Sequence, residues 1–166
     1  VPETPFIEAN TEIATLGDLR DSHIIPVFIK DNTPLISQLD FIQTTIEIGK
    51  EVFGGSVGSP SIRVSHPSKG RIPDARHKKA QELLEHEKTI YYERLAFVAH
   101  LYNKVEHVNG QELTMVIGGV KAYNQDKLHN YGGAFQRFKV FVGFKVKVCT
   151  NLSIWTDGFS GELKIR

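Results

Sequence analysis

The sequence predicts an α+β domain with an antiparallel meander sheet of about four to six strands. One main helix covers about residues 37–53 and a short second helix about 77–87. Three observations lead there. Helical periodicity is concentrated in one early segment. Long β-branched and aromatic runs fill residues 89–155. Asn109-Gly110, the strongest short hairpin signal, sits between two of those runs.

Residues 1–36 read as an extended N-terminal arm, punctuated by Pro2, Pro5, Pro26 and Pro34. Within it, the apolar run 22–30 is an edge strand at most, because Pro26 cannot donate to a ladder. Ser37 opens the helix as N-cap, and Asp40 suits the positive end of its dipole. Phe41, Ile42, Ile46, Ile48, Val52 and Phe53 recur at near-helical spacing up to the Gly54-Gly55 stop. Gly49 inside that pattern marks a close approach by a neighbouring strand.

Residues 61–66 alternate as a short strand, and Pro67-Ser68-Lys69-Gly70 reads as a turn. The strong helix formers of 77–88 give the second helix. Strands follow over 89–101, 112–123, 138–149 and 152–155, with a polar loop at 124–136 and an Asp157-Gly158 turn. Gly118-Gly119 inside a strand suggests a bulge. Residues 37–166 therefore form one α+β domain. The chain ends on a strand pattern at Arg166, which reads as truncation at the C-terminus.

At 166 residues the chain is long enough to bury a core without disulfides. A lone Cys149 excludes a disulfide framework within one chain and a multi-cysteine zinc site, and no apolar run reaches membrane-spanning length. The net charge of +1 hides a polarity. Residues 1–50 hold eight acids and three bases, whereas 51–166 hold 17 bases and 11 acids.

The densest cationic stretch carries Arg63, Lys69, Arg71, Arg76, Lys78 and Lys79, with Lys139, Lys145 and Lys147 as a second strip on a strand face. Guanidinium and ammonium groups on a flexible loop suit phosphate oxygens, and a cationic strand beside aromatic residues suits single strands. These nine residues are the candidate contact surface for DNA or RNA. The competing reading is a solvated loop neutralised by Glu82, Glu85, Glu87 and Glu93 just downstream.

Other chemistry is thin. His66, His77 and His86 lack metal-ligand spacing, although Glu82 and His86 are four apart. Gly55-Ser56-Val57-Gly58 only half resembles a nucleophile elbow. Tyr123-Asn124-Gln125 gathers polar groups just past a strand end without implying a reaction. No catalytic residue, metal or cofactor is assigned.

Several stretches together carry a family resemblance: residues 5–11, 62–66, 69–75, 86–94, 117–124, 138–144 and 149–152, with Trp155-Thr156-Asp157-Gly158 after them. Over about Pro5 to the last residue, the chain resembles the bacterial domain-of-unknown-function family numbered 3871. That resemblance implies a gut-bacterial protein often carried by mobile elements, with longer members and no assigned activity. The expected function is therefore a cytoplasmic, non-enzymatic, nucleic-acid-associated accessory protein of a mobile element. The alternative is a protein-interaction or self-assembly domain that forms a homo-oligomer through the N-terminal arm. A hydrolase using His66, His77, Glu82 or His86 ranks third.

Overall fold

The computed structural model describes residues 7, 11–22, 36–65, 67–75, 77–123 and 136–165. Its centre is a six-stranded sheet of β1 (Glu12–Ala14), β2 (Ser61–Val64), β5 (Arg94–Val108), β6 (Gln111–Ala122), β7 (Gln136–Gly143) and β10 (Phe159–Ile165), hydrogen-bonded in that order. Every pairing in it is antiparallel. Two small hairpins accompany it, β3 (Pro67–Arg71) with β4 (Lys88–Tyr92), and β8 (Val146–Val148) with β9 (Ile154–Thr156). Helix α1 spans Leu16–Ser22 and helix α2 spans Gln38–Phe53.

α2 begins where its cap chemistry dictates. The Ser37 hydroxyl accepts the Asp40 N–H at 3.0 Å, and Gly54, at φ 67°, donates its N–H to the Lys50 carbonyl. Its inner face lies on β5 and β6, where Phe41 and Ile42 join Leu95, Phe97 and Phe138. The Phe41 and Phe97 rings meet edge to face at 5.5 Å. Gly49 faces Ile117 of β6, and a Cβ there would sit 3.0 Å from Ile117 Cδ1, so the expected close approach of a strand is present.

The opposite face of the sheet is buried as well. Ala96, Val98, Val116, Val120 and Phe141 pack under the β8–β9 hairpin through Val148 and Leu152, together with Ile7, which bridges Val148. Two-sided burial explains why β5 reads as a continuous apolar run, Leu95 to Ala99, instead of alternating.

Asn109-Gly110 makes the tight turn between β5 and β6, with φ of 51° and 75°. The six-stranded sheet, the main helix and the mixed class follow the pattern of the sequence. Four local expectations differ. The second helix over 77–87 is absent; two isolated 3-10 turns, Ala80–Glu82 and Glu85–Glu87, stand there instead. Glu82 and Glu87 each fold back on the N–H that opens their own turn, Lys79 and Leu84 respectively. Ala80, Leu83 and Leu84 give too narrow an apolar stripe to hold a short helix on a core.

Residues 67–70 belong to β3 and pair with β4, so they are strand rather than turn. Gly118 and Gly119 pair in regular register with β5 and β7, and the shift in the β5–β6 ladder falls between Leu101 and Val105. Within the expected arm 1–36, residues 11–22 build β1 and α1, and Ala14 and Leu19 enter the main core. The edge strand expected over 22–30 falls on residues outside those described, apart from Ser22, which ends α1.

Candidate functional site

The sheet register decides how far the candidate cations can converge. Arg63, Ala96, Val120, Lys139 and Glu162 stand opposite one another across five adjacent strands. Arg63 and Lys139 thus share a row and a face but stand three strand spacings, about 14 Å, apart. Each is engaged locally. Arg63 donates from Nε to the Thr11 hydroxyl at 3.0 Å and from a terminal nitrogen to the Thr11 carbonyl at 3.1 Å. Lys139 Nζ donates to the Leu152 carbonyl at 3.2 Å. Leu152 is buried and carries a left-handed φ of 62°, so that lysine steadies a turn made at some backbone cost.

The basic loop behaves similarly. Arg71 turns inward and donates to the carbonyls of Ala75 and Lys78. Lys78 Nζ lies 2.6 Å from Glu87, which is itself buried. That ammonium, and then the Leu84 N–H, hold the Glu87 carboxyl below the ordinary carboxylate range. Lys79 is exposed. Arg76 and the side chain of Lys69 lie outside the described residues.

Lys145 and Lys147 are exposed, but at the far end of the sheet. The β3–β4 hairpin leaves it at the Arg94–Ala122 pair, whereas the turn carrying Lys145 follows the Val116–Gly143 pair. Six residues of β6 separate the two ends, about 20 Å. The two cationic strips stay separate.

The histidine and nucleophile candidates do not assemble either. His77 and His86 are exposed, and Glu82 is spent on the Lys79 N–H. His66 lies outside the described residues. Among the described residues, no three His, Cys, Asp or Glu side chains gather as metal ligands. Residues 56–58 run alongside β5, with the Gly58 N–H on the His100 carbonyl, so Ser56 is on no elbow. Tyr123 is buried, and residues 124 and 125 are outside those described.

Two features escaped the sequence reading. The first is a buried polar pair beside α2. Lys121 is fully enclosed; its Nζ donates to the Arg137 carbonyl at 3.2 Å and stands 4.2 Å from the Phe138 ring centroid. Gln38 Nε2 donates to the carbonyls of Tyr92 and Lys121. A charged residue within the apolar Val116–Ala122 run was the available signal.

The second feature is an apolar trough of about 390 Å³. One wall is the outer side of α2, with Ile48 and Val52. The floor is β7 and β10, with Val140, Val142, Phe159 and Leu163. Val52 is 67% and Phe159 64% exposed, values unusual for large apolar groups lying so close together. Asp40, Thr44 and Thr45 also line the trough, but the Thr45 hydroxyl is turned back onto the Phe41 carbonyl at 2.7 Å. On the opposite face of β10, Glu162 lies 2.7 Å from Arg137 and 3.9 Å from Lys164, and Arg137 holds its carboxyl below the usual range.

A family model described as "Domain of unknown function, B. Theta Gene description (DUF3871)" matches residues 1–166. The chain belongs to this family. No curated protein and no solved structure matches it. Membership assigns no activity. No described helix is long and apolar enough to cross a membrane.

Proposed function

We propose that the chain is a protein-interaction module, and that its trough seats the apolar face of a helix from a partner protein. One observation carries the reading. α2 covers β5 and β6 and reaches the near flank of β7 through Phe41 and Phe138, while among the described residues no helix covers the outer flank of β7 and the apolar side of β10, where Phe159 and Leu163 are exposed. Two strand spacings are about 10 Å, the width of one packed helix. A two-layer α+β sheet is completed by laying an apolar helical stripe along such a strip. The floor offers aliphatic and aromatic groups with almost no polar demand, so the expected partner stripe is Leu, Ile, Val or Phe at helical spacing.

The test is an amide-shift titration of the labelled protein with a synthetic amphipathic Leu/Lys helical peptide. The reading expects shifts clustered at Ile48, Val52, Val140, Phe159 and Leu163, and their loss in Val52→Asp. Absence of binding, or shifts centred on another face, sinks it.

A second reading keeps the nucleic-acid function and the accessory role on a mobile element. One pair favours its nucleic-acid part. Lys147 stands directly opposite Trp155, and both are exposed, with Lys145 close by in the chain. An exposed aromatic beside cations is a minimal stacking platform for an unpaired base. Trp155 is the single tryptophan, so its fluorescence reports directly. Oligothymidylate at low salt should quench it and added salt should reverse the effect. Unchanged emission removes this reading.

A further inference from the structure

We infer that β10 pairs edge to edge with β10 of a second copy, in the antiparallel register centred on Leu163. The contact uses the edge of the strand rather than its apolar face, so it stands whether or not the trough takes a helix. β10 is seven residues long, and among the described strands it is hydrogen-bonded on one side only, to β7. The other edge of the sheet, β1, has three residues. Long open edges are what natural sheets usually shorten or block, so a seven-residue edge with no described strand beyond it is a template for another strand.

The side chains select both occupant and register. Along β10, Phe159, Gly161, Leu163 and Ile165 lie on the α2 side, and Ser160, Glu162 and Lys164 lie on the other. Directly opposed residues of an antiparallel pair are related by a twofold axis, so a strand can meet its own copy about any residue. About Leu163, each Glu162 faces the other copy's Lys164, giving two opposite-charge pairs, while Leu163 meets Leu163 and Gly161 leaves room for Ile165. About Glu162 or Lys164, like charges meet. About Gly161, both charges lose an ionic counterpart. A lysine on an edge ordinarily repels an incoming strand; the neighbouring carboxylate reverses that only in the register centred on Leu163. Glu162 keeps Arg137 in the pair, so its carboxylate would bridge a cation of its own chain and one of its copy.

Sedimentation equilibrium of the whole chain, with circular dichroism as the folding control, tests this. The wild type should show a reversible monomer–dimer equilibrium. Glu162→Lys and Lys164→Glu should each weaken self-association by about tenfold, since each sets like charges opposite at both symmetric positions. Lys164→Glu leaves the Glu162–Arg137 contact in place, which guards against a folding artefact. An equimolar mixture of the two variants should regain association, because a strand with two cations then meets one with two carboxylates. A wild type that stays monomeric, a dimer indifferent to both reversals, or a mixture no tighter than its components each overturns the inference. Loss of peptide binding in Val52→Asp with dimerisation intact separates this interface from the trough.

Discussion

The Phe41 ring of α2 rests directly over Gly119 of β6. A Cβ on Gly119 would lie 2.6 Å from Phe41 Cζ and 2.7 Å from the Lys139 carbonyl oxygen. The missing side chain is what lets the helix settle onto the middle of the sheet, with Phe41 meeting Phe97 at 5.5 Å and Phe138 at 4.9 Å. Gly119→Ala should therefore destabilise the fold by about 3 kcal/mol, the upper end of overpacking costs, because the obstruction includes backbone on a neighbouring strand. Urea unfolding should show a lowered midpoint with an unchanged slope. A variant as stable as wild type would mean that α2 does not bear on β6 at this point.

Arg63 and Lys139 illustrate a second consequence. Both carry charges that the sequence offers to a polyanion, and both spend them on carbonyls or hydroxyls of segments crossing the same face of the sheet. Arg63→Ala and Lys139→Ala should each cost about 1.5–3 kcal/mol, the usual scale for hydrogen bonds to charged donors. Hydrogen exchange should localise the first loss to residues 11–14 and the second to 146–156. Unchanged stability together with a loss of oligonucleotide binding would return both residues to a phosphate-contacting role.

The basic loop should respond to acid. Glu87 is held below the ordinary carboxylate range first by Lys78 and then by the Leu84 N–H. A carboxyl with a depressed folded-state pKa contributes stability that is fully present above the unfolded value, about 4.3. That contribution is lost as pH falls through the folded value. Exchange protection in residues 77–88 should therefore hold at neutral pH and drop below about pH 4. In Glu87→Gln it should already be reduced at neutral pH, with a flatter acid dependence. An identical pH profile in wild type and variant would show that the Lys78–Glu87 contact does not order the loop.

Much of this architecture was legible because it depends on local chemistry. Ser37, Asp40 and Gly54 mark both ends of α2, and Asn109-Gly110 sets the central hairpin without reference to anything distant. α1 was missed although its signature is present: the Thr15 hydroxyl accepts the Asp18 N–H at 3.1 Å while the Asp18 carboxylate accepts the Thr15 N–H at 2.9 Å. At seven residues, that helix was too short for periodicity to register. The helix expected over 77–87 failed for the converse reason. Its residues favour helix individually, but no apolar face ties them to the core, and Glu82 and Glu87 each close their own turn instead. The candidate site was less legible still. Counting cations along the chain cannot reveal that Arg63 and Lys139 are separated by two strands, nor that α2 reaches β7 through Phe41 and Phe138 but leaves Phe159 and Leu163 of β10 exposed. Both facts follow from strand order, which is non-local.

The trough gives the last prediction, and stability separates it from an ordinary core defect. Val52 and Ile48 lie on α2 but are 67% and 51% exposed, so little of their apolar surface is removed from water by folding. Replacing Val52 by Asp should change folding stability by no more than about 0.5 kcal/mol, as for other exposed positions. Ile42, on the same helix but fully enclosed, should lose about 2–5 kcal/mol when cut to Ala. A hydrophobic dye such as anilinonaphthalene sulfonate should show the opposite order. Its fluorescence on the folded protein should fall sharply in Val52→Asp and stay near the wild-type level in Ile42→Ala under conditions where that variant remains folded. If Val52→Asp is instead as damaging as Ile42→Ala, then Val52 is part of the packed core and the surface beside it is not an open binding trough.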